Sequence, residues 1–240
     1  MNTSIGEIVR GDSDVFPPYL YEAYRATVSR APRMALVEVP LTLSEHGGPP
    51  PNAITVTPGD SDLTRNAGTG GEAIGQRIIV TGRVLDSRGI PLPDVLIEVW
   101  QANAAGRYIH KSDQWPGPLD PHFLGIGRCR TNAEGEYRFL TVRPGAYPWR
   151  NQPNAWRPAH IHFSVLGPSW SERLVTQMYF AGDPLLPMDP IFNAVPEAAR
   201  ERLIAAYSHE VTQAEWALGW RWDIGLGGAK ATVFEEQKRV

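Results

Sequence analysis

The chain of 240 residues has a single cysteine, Cys129, so no internal disulfide framework is possible and a reducing compartment suits it. No apolar run approaches the roughly 20 residues a membrane-spanning helix needs. The opening residues, MNTSIGEIVRGDSDVF, lack a basic stretch followed by an apolar one, so no secretory signal is expected. Neither charge is in excess. With 23 basic and 26 acidic residues the formal net charge is −3, which gives no reason to expect a nucleic acid or an anionic membrane as partner. Internal repeats, low-complexity tracts and an HExxH-type zinc motif are also missing. The expectation is a cytoplasmic protein, and at 42% hydrophobic it can bury the core of one all-β domain.

What is abundant is glycine and proline, 23 and 22 residues. Over residues 1–75 they accompany weak periodicity. YLYEAYRATVSRAP reads as a short helical or extended aromatic piece, MALVEVP as one short strand, and residues 44–62 as a surface loop. Such a segment is expected to be an extended arm lying on the main domain or on a partner. From Gln76 onward the pattern turns to strands, giving a β-sandwich domain over 76–240. RIIVTGRVLD, VLIEVWQAN, HIHFSV and RLVTQMYF are strand runs, and GIGRCRT and EYRFLTV flank NAEG, a hairpin signal. Apolar spacing behind Pro196 predicts one short helix near 196–207, and alternation from Trp216 to Leu226 predicts a closing strand. The expected fold is mainly β, an antiparallel sandwich.

The chemistry concentrates in residues 144–164, PGAYPWRNQPNAWRPAHIHFS. Four prolines stiffen the approach by fixing φ. HIHFSV then alternates strictly, so Ile161, Phe163 and Val165 face a core while His160, His162 and Ser164 share the opposite face. Two imidazoles so placed can reach one metal ion, although two histidines on a wet sheet face need no such role. Tyrosine is a costly ligand. Holding its phenol as phenolate at pH 7 costs about 4 kcal/mol, and about 8 kcal/mol for two, so only a hard, highly charged cation such as ferric iron repays it. Tyr108 and Tyr147 stand beside glycines at strand or loop ends, but spacing alone does not select them among eight tyrosines.

TGRVLDSRGIPLPDVLIEVWQANAAGRYIHKSD, PLDPHFLGIGRCRTNAEGEYRFLTVRPGAYPWRN and NAWRPAHIHFSV together resemble the intradiol ring-cleaving dioxygenases, in particular their protocatechuate-cleaving branch. The resemblance covers nearly the whole chain and is weakest before about residue 31. It implies a non-haem Fe(III), one per chain, held by Tyr108, Tyr147, His160 and His162. It implies cleavage of protocatechuate (3,4-dihydroxybenzoate) by O2 between its hydroxylated carbons to 3-carboxy-cis,cis-muconate, with Tyr147 accepting one of the catechol protons. Arg157 matches a cation set against the ring, Gln177 a polar group on the O2 side, Tyr24, Trp149 and Ile191 the substrate pocket, and Trp100 an aromatic near the iron. His46, His110, His122 and His209 match no functional position, though His110, two residues after Tyr108, is placed to hydrogen-bond a ligand.

The same branch implies a homologous α subunit that lacks the iron ligands and completes the pocket around the anionic ring substituent. Mild departures from the branch pattern lie in residues 44–66 and around Asp189, and bear on specificity and subunit contacts. Another 4-substituted catechol, such as 4-sulfocatechol, remains an alternative substrate. A non-catalytic β-sandwich binding module accounts for residues 76–143 but leaves YPWRN and WRPAHIH unexplained. A zinc hydrolase, or a ferrous extradiol enzyme, needs a third protein ligand beyond the two histidines.

Overall fold

The computed structural model describes residues 15–35, 37, 54–167 and 173–233. The alternating runs become β1 (Arg77–Leu85), β2 (Leu96–Trp100), β3 (Ile126–Arg130), β4 (Glu136–Val142), the two-residue β5 (Tyr147–Pro148) and β6 (Trp156–Arg157), β7 (His160–Leu166), β8 (Arg173–Phe180), β9 (Ile204–Tyr207), β10 (Leu218–Arg221) and β11 (Ile224–Gly225). Among the described residues three short α-helices accompany them: α1 (Arg25–Arg30), α2 (Pro190–Ala194) and α3 (Glu197–Arg200). One layer centres on β1, flanked by β4 on one side and by β10 and β11 on the other. The second layer runs β3-β2-β7-β8. Strand β9 joins the layers, with Ile204 and Ala205 against β8 and Ala206 and Tyr207 against β10.

The core lies between these layers. Ile161, Phe163 and Val165 of β7 meet Ile78, Val80, Tyr137, Phe139, Trp220 and Trp222 from the opposite side. Phe163, fully buried, sits edge-on to Tyr137, Phe139 and Trp222 at centroid separations of 6.0, 5.8 and 4.8 Å. That edge-to-face geometry adds to the area term, which for burying one such side chain is about 1.5–3 kcal/mol. Leu63 and Ala73 join the same cluster, and the Leu63 amide donates to the Leu140 carbonyl at 2.9 Å, so residues ahead of β1 also cover the sandwich.

Four expectations need correction. The sandwich is mixed rather than antiparallel, since β1 pairs in parallel with β10 and β11, and β8 with β9. Parallel neighbours demand a crossover of a dozen or more residues, and between β8 and β9 the segment carrying α2 and α3 provides one. The helix expected near 196–207 is one α-helical turn, Glu197–Arg200, then a tighter turn over Glu201–Leu203. Residues 204–207 are strand β9, because both of its edges find ladder partners, and a short isolated helix has little cooperativity to set against them.

The NAEG turn forms, with Gly135 at φ 71° and Asn132 Oδ1 accepting from the Glu134 and Glu136 amides, but it makes no hairpin. β3 pairs with β2 and β4 with β1, so the turn carries the chain from one layer to the other. The closing strand is interrupted between β10 and β11. There the Asp223 carboxylate takes the Arg83 amide at 2.8 Å, a bond that would otherwise belong to the ladder. The strand expected over residues 34–40 lies largely outside the described residues. Among the described residues no helix is long and apolar enough to cross a membrane.

Candidate active site

The outward face of β7 is covered, not wet as its alternation alone would allow: His160 is 2% exposed and Ser164 0%. Register explains what gathers there. Trp100 of β2 and Gln177 of β8 stand directly opposite His162, and Tyr179 stands opposite His160. Side chains opposite one another in a sheet share a face. The Trp100 and His162 rings accordingly stack, at 4.8 Å with 6° between planes.

Two loops close over this face. Strands β5 and β6 form a small ribbon that sets Tyr147 beside Arg157. The loop after β2 brings Tyr108, whose amide donates to Asp113 Oδ2 at 2.8 Å, while Asn103 Oδ1 accepts from the Ala105 and Arg107 amides. Gly106 makes their meeting possible. At φ 74°, an added Cβ would lie 2.2 Å from the Ala146 carbonyl oxygen and 3.1 Å from Tyr147 Cβ. Tyr108 and Tyr147 then meet edge to face at 5.5 Å.

The structure thus brings Tyr108, Tyr147, His160 and His162 together. His160 and His162 are 4.9 Å apart between centroids, Tyr147 and His160 5.5 Å, and Tyr108 and His162 6.5 Å. His160 Nδ1 lies 2.7 Å from the Pro158 carbonyl, which can only accept, so Nδ1 carries the hydrogen and Nε2 the lone pair. That lone pair faces Tyr147 Oη at 3.3 Å. Burial, with Arg157 and His162 adding their repulsion, holds the His160 pKa well below its ordinary value, so the imidazole is the neutral, ligating form. Among the described residues no group of three or more His, Cys, Asp or Glu side chains is placed to hold a metal. Among the described residues the zinc-hydrolase and extradiol donor sets therefore find no third ligand, whereas two phenols and two imidazoles do converge. That set fits a hard trivalent cation.

The expected pocket residues lie around Arg157. Tyr24 packs edge-on to Trp149 at 5.5 Å, and the Arg157 guanidinium sits 5.5 Å from the centre of the Trp149 ring. Arg157, 4% exposed, donates from Nη2 to Gln177 Oε1 and to Tyr179 Oη, and from Nε to Asp189 Oδ2 at 3.2 Å. Ile191, 8% exposed, is on α2, its amide bound to Asp189 Oδ1. Asn151 clasps the arm by accepting from the Arg25 amide and donating to the Ala23 carbonyl, both at 2.8 Å. His110 and His209 are exposed and His122 is half-buried; His46 lies outside the described residues. His110 Nδ1 accepts from the Ser112 amide, so this nitrogen caps its own turn. Sequence reasoning missed Tyr179 and Asp189 as partners of Arg157. The available signals were Asp-Pro, a helix-start pair, and the place of Tyr179 opposite His160.

A family model described as dioxygenase matches residues 49–228, and one described as the protocatechuate 3,4-dioxygenase beta subunit N terminal matches residues 9–42. The protocatechuate 3,4-dioxygenase beta chain of Burkholderia cepacia is 56% identical over 219 residues, 91% of this chain and 93% of that one. The chain belongs to the intradiol dioxygenase family. This dioxygenase is also 30% identical to the protocatechuate 3,4-dioxygenase alpha chain of Pseudomonas putida, over 68% of its own length and 77% of the relative's. It is 37% identical to catechol 1,2-dioxygenase 2 of Acinetobacter lwoffii, but spans only 50% of that protein. Its fold matches the crystal structure of 3-chlorocatechol 1,2-dioxygenase from Rhodococcus opacus 1CP with a TM-score of 0.54 at 24% identity, over 88% of this chain and 79% of that one. The family is iron-dependent, and its members include chains named beta and alpha.

Proposed function

We propose that this dioxygenase is the iron-bearing β subunit of a protocatechuate 3,4-dioxygenase. It holds one non-haem Fe(III) with Tyr108, Tyr147, His160 and His162 and converts protocatechuate and O2 to 3-carboxy-cis,cis-muconate. The observation that carries this reading is the convergence of two phenols and two imidazoles, with the lone pair of His160 Nε2 turned toward Tyr147 Oη. When bound, ferric iron supplies a Lewis acid that stabilises both phenolates and activates the catecholate for attack by O2.

The chain's own groups divide the remaining work. Tyr147 takes the proton of one substrate hydroxyl as the catechol binds. The imidazole of His160, kept neutral by burial and fixed in tautomer by the Pro158 carbonyl, would hold the iron through Nε2. Trp100, stacked on His162, fixes the plane of that ring. Arg157 sets a permanent cation against the substrate ring, where negative charge develops. Gln177 takes the O2 side, and Tyr24, Trp149 and Ile191 wall the ring in.

The Nε and Nη2 donors of Arg157 are already engaged by Asp189, Gln177 and Tyr179, so it is a poor receptor for a second anionic group on the substrate. The substituent para to one hydroxyl therefore requires a cation from elsewhere, and a homologous α subunit provides it. Residues 1–75 serve both the core, through Leu63 and Ala73, and the docking of the α subunit, while 76–240 form the catalytic domain. A reducing, cytoplasmic setting suits the single buried thiol. The test is to purify the β chain alone and together with its α partner, and to measure O2 uptake on protocatechuate, 4-sulfocatechol and catechol. The expected result is turnover of the anionic catechol only in the complex. A homodimer of the β chain that cleaves unsubstituted catechol efficiently would overturn the reading.

A further inference from the structure

Asp189 is fully buried and belongs neither to the proposed ligand set nor to the pocket wall, yet its carboxylate touches elements of both sides of the site. Oδ2 accepts from Arg157 Nε at 3.2 Å, and Nη2 of the same guanidinium lies 3.2 Å from it. Oδ1 accepts from the Ile191 amide at 3.1 Å, capping α2. A buried carboxylate is stabilised only if its oxygens are satisfied, and here one oxygen serves the cation and the other the helix. Tyr179 and Gln177 complete the frame: Tyr179 Oη donates to Gln177 Oε1 at 2.8 Å, and both accept from Arg157 Nη2. The guanidinium is flat, so fixing Nε and Nη2 fixes its plane, with Cζ 5.5 Å from the centre of the Trp149 ring.

We propose that Asp189 is a positioning residue that aims Arg157 at the substrate ring, and that the same carboxylate sets Ile191 at the pocket wall. This rests on the role for Arg157 proposed above. A helix cap alone needs only a short side-chain oxygen, and serine is as good a cap as aspartate. Serine is too short to reach Arg157. Asp189→Ser therefore keeps the cap and removes the aim.

The experiment measures kcat, KM and iron content in the αβ complex for Asp189→Ser, Arg157→Leu and the double variant. In metal-free wild type and Arg157→Lys, it also measures the solvent exchange of arginine Nε–H protons by nitrogen-15 NMR. Asp189→Ser should retain iron and lose about 10- to 100-fold in kcat, the loss expected when a hydrogen bond to a charged group goes. On the Arg157→Leu background it should lower kcat no further, because residues acting through one another are not additive. The metal-free wild type should show a slowly exchanging Nε–H resonance that disappears in Arg157→Lys. Wild-type kcat in Asp189→Ser, or rapid exchange of that proton, would overturn the positioning role, and the exchange measurement stands even if the serine variant folds poorly. Full kcat in Arg157→Leu would instead overturn the role of Arg157 itself.

Discussion

The two pairs of candidate ligands reach one point by different routes. His160 and His162 come from a single strand, two residues apart, and the pleat alone puts them on one face. Tyr108 and Tyr147 come from separate loops, and nothing periodic relates them. Their meeting depends on an Asx-braced turn at Asn103, on Asp113 holding the Tyr108 amide, and on the missing Cβ of Gly106. The strand pair is rigid because its other side is the packed core. The loop pair is positioned by hydrogen bonds and by one close backbone approach. Damage to β7 from its core side should therefore act on stability, and damage to the loops should act on assembly of the site.

The largest effect is expected on the core side of β7. Phe163→Ala should lower unfolding free energy by about 3–5 kcal/mol in denaturant titrations of the metal-free protein, since three rings from the opposite layer lose their partner. One residue away, His162→Ala should leave metal-free stability within about 1 kcal/mol while abolishing tight iron binding. Comparable losses for the two would erase the distinction between the faces.

Next in size is Arg157→Leu, which should retain iron and visible colour but raise the barrier by about 3–4 kcal/mol, read as kcat at saturating substrate. A variant that no longer binds iron would make Arg157 structural instead. For the loop pair, Gly106→Ala adds a Cβ in a left-handed conformation and against the Ala146 carbonyl. It should destabilise by about 1–3 kcal/mol and lower iron content disproportionately, as Tyr108 moves away from Tyr147.

The effect that is smallest near neutral pH, and grows only in alkali, again belongs to the core. Burial pushes the Cys129 thiol up to about 12. Above pH 9 the unfolded chain releases this proton while the folded chain keeps it, so stability falls with rising pH from 9 toward 12, by up to about 1.4 kcal/mol per pH unit. Cys129→Ala should show a shallower alkaline decline in the same window, and an unchanged slope would mean the thiol does not contribute.

The contrast also explains what could be read from the sequence. Strand positions and the shared face of His160 and His162 follow from a period of two, which is a local property. Which strand pairs with which is not local. NAEG encodes a turn whether its flanks form a hairpin or, as here, join β2 and β1 in different layers. Residues 204–207 carry helix-compatible side chains and become β9 because two strand edges are waiting for them. Tyr108 and Tyr147 were legible only through the family resemblance. The frame of Asp189, Tyr179 and Gln177 around Arg157 spans three elements that no spacing rule connects.

The central claim is that the strand imidazoles and the loop phenols form one ferric site. The most direct measurement is the visible spectrum and iron content of the purified αβ complex, compared with Tyr108→Phe and Tyr147→Phe. The claim predicts a reddish protein with one iron per β chain and absorption in the blue-green from phenolate-to-iron charge transfer, with each variant losing part of that absorption. A folded, active complex that is colourless and iron-free, or a spectrum unchanged in both variants, would contradict it.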